Sequence, residues 1–172
     1  MLLAMKFVAL FLCLLSCAAC VGHGVQPREK KPAAIMVPSG TQIPTLGLAF
    51  DVSYDPSTDG VIPTYRIVNV GITNNSLEVI PLDPYTDRWR VVDRAGRKHD
   101  ATVSLRRENP DVWAQLPVGL KKLIQYPLLL PIGTTQSLDI LFSDRINLNE
   151  FREIIFESTG LGREIRIYPR EQ

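Results

Sequence analysis

The 172-residue chain carries 19 Lys plus Arg against 18 Asp plus Glu, with 45% hydrophobic residues, and loss of Lys6 with an N-terminal signal leaves 18 of each sign. That balance argues against a nucleic-acid-binding face, which needs a clear basic excess, and provides no field for steering charged ligands. About 150 mature residues suffice for one core and are tight for two.

The chain opens with a short n-region ending at Lys6, an apolar run over residues 7–15 and the small-residue segment Ser16-Cys17-Ala18-Ala19-Cys20. This is the pattern of a secretory signal peptide, here residues 1–16. A permanent transmembrane helix is the poorer reading, because spanning hydrocarbon takes roughly 20 apolar residues. Leu14-Leu15-Ser16-Cys17 resembles the lipobox of bacterial lipoproteins. The resemblance implies that Cys17 receives a diacylglycerol on sulfur and an acyl chain, palmitate among the candidates, on its new amino terminus. Cys20 is the alternative lipidation site, but Cys17 would then stand where the lipobox usually has Leu. Several acyl chains at about 0.8 kcal/mol per buried methylene give a stable membrane anchor. Ala18 and Val21 follow the two cysteines where a retention signal would place Asp. By analogy this implies an outer-membrane, periplasm-facing lipoprotein. An ordinary secretory signal cut near Ala19 is the other reading. All three cysteines lie in or beside the signal, so the folded region is expected to hold no disulfide.

Residues 17–42 read as the lipidated N-terminus and a flexible tether, rich in Gly and Pro and without strand or helix period. A short strand over residues 33–37 is the alternative there. The domain is expected to start at residue 43. Residues 48–54 alternate with Leu48, Phe50, Val52 and Tyr54 on one face, and residues 65–73 with Val68, Val70 and Ile72. Further strands are expected over residues 77–82, 89–92, 98–105, 136–142, 153–157 and 163–168. Asp93-Arg-Ala-Gly96 reads as a hairpin turn, which implies antiparallel pairing. Helical turns are expected over residues 110–115, where Pro tolerates a first turn, and over residues 148–152. Residues 127–131 read as an apolar segment. The expected fold is an all-β antiparallel sandwich of about 7–9 strands with one or two short helical turns.

Three segments carry a second resemblance: residues 68–74, Trp89-Arg-Val-Val-Asp93 with Gly96, and Leu130-Pro-Ile-Gly133 before the apolar residues 138–142. In this order they resemble the immunoglobulin-like β-sandwich domains of bacterial lipoproteins of unknown function. The insertion over residues 106–126 departs from that pattern. The resemblance implies a fold and a location, with no shared reaction.

No catalytic constellation stands out. His23 and His99 are the two histidines, and no Gly-x-Ser-x-Gly turn exists to expose a nucleophile. The chain reads as a non-enzyme without cofactor or transition-metal site, since zinc or copper needs several His or Cys ligands. Asp51, Asp55 and Asp59 are weak calcium candidates and, with Asp83 and Asp87, otherwise read as turn residues. The best partner-binding candidates are Trp113, Leu116, Lys121, Lys122 and Tyr126, where aromatic and apolar residues gather around two lysines. The competing reading makes Trp113 a cap on the sandwich and residues 126–130 a core strand. The functional expectation is therefore a non-catalytic, membrane-anchored binding or structural accessory module of a cell-envelope assembly, with an envelope protein as partner. The alternative is a periplasmic sensor or carrier of a small ligand or cation. The oligomeric state is left open.

Overall fold

The computed structural model describes residues 32–169. The signal peptide, Cys17, Cys20 and His23 lie outside the described residues. Eleven strands are present among those residues: β1 (Ile35–Pro38), β2 (Thr41–Ile43), β3 (Leu48–Tyr54), β4 (Tyr65–Asn74), β5 (Ile80–Pro81), β6 (Arg88–Val92), β7 (Lys98–Asp100), β8 (Leu129–Leu130), β9 (Thr134–Ser143), β10 (Glu153–Ser158) and β11 (Arg163–Tyr168). They form a four-stranded sheet in the order β2-β3-β4-β9, a five-stranded sheet in the order β1-β11-β10-β6-β7 and a small β5-β8 ribbon.

Period-two alternation decides which side chains enter the core. On β4, Val68, Val70 and Ile72 are fully buried, and in the β9 register Val68 faces Ile140 and Val70 faces Leu138. Leu48 and Phe50 add the inner face of β3, while Trp89, Val91, Ile154, Phe156, Ile165 and Ile167 come from the five-stranded sheet. The two inner faces meet at aromatic rings: Trp89 stacks on Phe156 with centroids 4.1 Å apart and planes at 16°, and Phe156 meets Phe50 at 5.9 Å. Offset and tilted ring pairs of this kind add about 0.5–1.5 kcal/mol to their burial. The result is an all-β sandwich with predominantly antiparallel pairing.

The structure corrects several expectations. The segment read as tether contributes β1 and β2, so the strands begin at residue 35. β1 pairs in parallel with β11, with Val37 opposite Ile167, and β2 pairs antiparallel with β3. Between them the chain passes from one sheet to the other through Ser39 and Gly40. Gly40 adopts a φ of 73°, and its N–H reaches the Phe50 carbonyl at 2.6 Å. Such short strands leave too few residues for an alternation to register. The strand expected over residues 98–105 stops at Asp100, and the one over residues 77–82 is reduced to β5, with Leu77 in solvent. Residues 148–152 form no helix. The helical turn expected over residues 110–115 does form, as the second of three helices between β7 and β8: α1 (Leu105–Glu108), α2 (Pro110–Gln115) and α3 (Val118–Leu123). A 3-10 turn follows β3 at Pro56–Thr58, capped by the Asp55 carboxylate on the Ser57 N–H.

Gly47 fixes the turn between β2 and β3. Its φ is 64°, and a Cβ there would stand 2.8 Å from the Ser76 backbone. Gly47→Ala is expected to cost about 1–2 kcal/mol, from left-handed strain plus displacement of the Ser76 turn. Urea denaturation checks this, and a change below a few tenths of a kcal/mol would contradict the close approach.

Candidate functional site

The outer face of the β4–β9 pair explains why the insertion exists. Alternation that turns Ile140 and Phe142 inward turns Leu141 outward, yet Leu141 is buried. It is covered by a second apolar cluster comprising Ile62, Leu105, Leu116, Ile124 and Leu141, with Tyr65, Ile67, Val112, Trp113 and Leu120 packed against it. The Thr102 N–H bonds the Leu141 carbonyl at 2.8 Å and brings the chain to this face. From there Asn109 caps α2, its side-chain oxygen accepting the Val112 N–H at 3.3 Å, and Pro110 starts the helix.

Where the helices meet the loop after β5, a groove of about 520 Å³ opens. It is lined by Pro84 and Tyr85 from that loop, by Trp113, Val118 and Lys121 from the helices, and by Leu128. Lys121 Nζ lies 5.8 Å from the Trp113 ring centroid and donates to the Ala114 carbonyl at 3.1 Å. The Arg107 guanidinium, which is not part of the groove lining, sits 5.1 Å from the Tyr85 ring centroid. Cations over aromatic faces hold the rings in place at about 0.5–1 kcal/mol each at exposed sites. Tyr85, Val118 and Leu128 remain largely in solvent, at 69%, 69% and 68% exposure. Exposed apolar side chains gathered at one groove mark an interaction site more often than scattered ones.

Tyr126 lies at the base of this region and ties it to the core. Its hydroxyl accepts the Trp89 indole N–H at 3.1 Å and donates to Asp87 Oδ2 at 3.0 Å. The same carboxylate oxygen accepts the Asp83 N–H at 2.9 Å, while Asp83 itself accepts the Tyr85 N–H at 2.8 Å. Burial first, then the Asp87 charge, raises the Tyr126 hydroxyl far above the ordinary tyrosine range. It therefore stays protonated and serves as a fixed donor to the buried carboxylate. The chain of bonds runs from the core tryptophan to the loop that carries Tyr85.

The five partner-binding candidates thus divide. Trp113, Lys121 and Lys122 line the groove; Tyr126 contributes to its lining but spends its polar end inside. Leu116 is corrected to a core residue of the second cluster, buried beneath the helices. Pro84, Tyr85 and Arg106 escaped notice in the sequence because they lie outside the segment that gathers apolar residues around Lys121 and Lys122, which includes Leu128. The one available signal was an aromatic residue between Asp83 and Asp87.

The calcium candidates are occupied elsewhere. Asp51 accepts the Ser39 hydroxyl at 2.9 Å, Asp55 accepts the Ser57 N–H, and Asp59 accepts the Tyr54 hydroxyl and pairs with Arg66 at 3.2 Å. No group of three His, Cys, Asp or Glu side chains able to hold a metal ion occurs among the described residues. His99 Nε2 lies 3.1 Å from Asp93 Oδ2, and Asp93 also accepts the Arg97 N–H and guanidinium. The His99 contact is the largest influence holding the Asp93 carboxyl well below the usual carboxylate range. That arrangement closes the β6–β7 hairpin, with Gly96 at a φ of 79°. No helix among the described residues is long and apolar enough to cross a membrane. Comparison with protein-family models, curated proteins and solved structures finds no match to this chain.

Proposed function

We propose that the chain is a non-catalytic, lipid-anchored lipoprotein of the bacterial envelope, periplasm-facing at the outer membrane, whose domain binds a protein partner as an accessory module. The observation that carries the binding role is the aromatic and apolar groove at Tyr85, Trp113 and Leu128 with its lysine edge. The anchor rests on the lipobox resemblance of Leu14-Leu15-Ser16-Cys17. Strand order supports an immunoglobulin-like reading of the sandwich: β3-β4-β9 faces β11-β10-β6-β7, with β1 and β2 added at the edges. Trp89, buried on the third strand of that set and stacked on Phe156, stands where immunoglobulin domains place a core tryptophan.

Metabolic labelling with an alkyne palmitate tests the anchor in cells. Label on the wild-type chain that persists in Cys20→Ser and disappears in Cys17→Ser is the expected result; an unlabelled wild-type chain would contradict the lipoprotein reading. Affinity capture from the envelope in mild detergent tests the binding role. Tyr85→Ala with Lys122→Ala, both solvent-exposed at the groove, is expected to lose a specific partner at preserved thermal stability, and an unchanged partner profile would contradict a binding role for the groove.

A further inference from the structure

We propose that the groove takes an acidic, apolar peptide segment of a partner protein, with an aliphatic or aromatic side chain seated between Tyr85 and Trp113 and flanking carboxylates on its basic rim. This rests on the binding-module reading. Three cations, Arg106, Lys121 and Lys122, line the groove, and no Asp or Glu stands among the residues that form it. The asymmetry is local, since the mature chain carries equal numbers of acidic and basic residues. Elsewhere on the domain some arginines are answered by carboxylates, Arg66 by Asp59, Arg90 by Glu157, Arg94 by Glu150 and Arg166 by Glu153 and Glu164, whereas Arg88, Arg145, Arg152 and Arg163 form no ion pair among the described residues.

What sets the groove apart is that its cations share one concavity with no carboxylate in its lining. Lys121 donates to a backbone carbonyl and lies over Trp113, and among the described residues neither Arg106 nor Lys122 forms an ion pair. Glu108, the nearest acidic residue in sequence to Arg106, is spent on the Ser104 N–H and Arg107. A negatively charged occupant would therefore meet donors that have no competing carboxylate, and complementary charge of this kind governs partner choice and association rate. The apolar part of the occupant follows from the exposure of Tyr85, Val118 and Leu128, which covering would remove from water at about 25 cal/mol per Å². Shape selects a peptide over a membrane surface. The apolar side chains flank a concavity between the loop after β5 and the helices, a seat for a chain segment, whereas a bilayer needs a projecting apolar face.

The test uses the full chain in detergent micelles as target for a random displayed peptide library, followed by titration of selected peptides. Trp89 is buried in the core and Trp113 half-buried at the groove, so changes in tryptophan emission report on Trp113. Enriched peptides should place Asp or Glu beside Leu, Phe or Trp, shift Trp113 emission, and bind less tightly as salt rises. Arg106→Glu with Lys122→Glu should weaken them by about tenfold, with Arg106→Gln and Lys122→Gln giving a smaller loss. Both positions are solvent-exposed, and unchanged thermal melting verifies that the variants fold. No enrichment, enrichment of neutral or basic peptides, or indifference to the charge reversal overturns the proposal. Quenching of Trp113 by brominated phosphatidylglycerol, with the chain reconstituted in phosphatidylethanolamine vesicles, would assign the groove to the membrane surface and likewise overturn it. In either case retained palmitate labelling and envelope capture would leave the lipoprotein reading standing.

Discussion

Trp89→Ala is expected to destabilise the domain by about 3–5 kcal/mol, the range for deleting a fully buried large aromatic side chain. Trp89 is 1% exposed, and two separate elements lean on it directly and a third through Phe156. Its ring stacks on Phe156 of the neighbouring strand, Phe156 meets Phe50 of the facing sheet, and its indole N–H anchors Tyr126. Truncation opens a cavity at the junction of the two sheets and leaves the Tyr126 hydroxyl without its donor. Equilibrium urea denaturation measures the loss directly. A destabilisation below about 1 kcal/mol would mean that the ring stack is peripheral to the core.

Tyr126→Phe is expected to cost about 2–3 kcal/mol, although the ring is retained and no cavity forms. The hydroxyl is both acceptor for Trp89 and donor to Asp87, so its removal strands a buried indole N–H and withdraws a donor from a carboxylate that is 4% exposed. Asp87 Oδ1 has no protein partner, which makes the remaining bonds to Oδ2 the more valuable. The loop carrying Tyr85 hangs on the same carboxylate through the Asp83 N–H. Tyr126→Phe should therefore also raise hydrogen exchange in residues 83–87 beyond the global effect. A loss below about 0.5 kcal/mol with unchanged exchange would contradict the role of this network.

The long strands were legible because alternation is dense where one face is buried. Val68, Val70 and Ile72 on β4, and Leu138, Ile140 and Phe142 on β9, mark their own inner faces. The Asp93–Gly96 turn was legible too, since aspartate and a glycine with positive φ are what that hairpin uses. β1 was legible only as the alternative to a tether, a short strand over residues 33–37, and β2 was hidden, because Pro38 and Gly40 look like linker chemistry whereas the residues beside them complete two sheet edges. Leu141 gave no warning that the outer face of β9 is apolar, since Asp139 and Ser143 bracket it at the same alternation. That single outward leucine, with Ile67, is what the helices cover. The groove was half legible. Trp113, Lys121, Lys122 and Leu128 lie close together in sequence, but Tyr85 joins them only through the fold. Tyr126 was ambiguous for a physical reason: an aromatic ring with a polar end serves a surface or a core equally well, and here the Asp87 carboxylate draws it inward.

A lipid-anchored β-sandwich that holds a partner at the groove should be caught doing so by photo-crosslinking in living cells. A benzophenone amino acid replacing Tyr85, 69% exposed at the groove, is compared with the same probe replacing Arg94 on the β6–β7 turn, outside the groove. A discrete envelope-protein adduct is expected from position 85, abolished by Arg106→Glu with Lys122→Glu, and no such adduct from position 94. Adducts of equal yield at both positions, or one at position 85 untouched by the charge reversal, would contradict it.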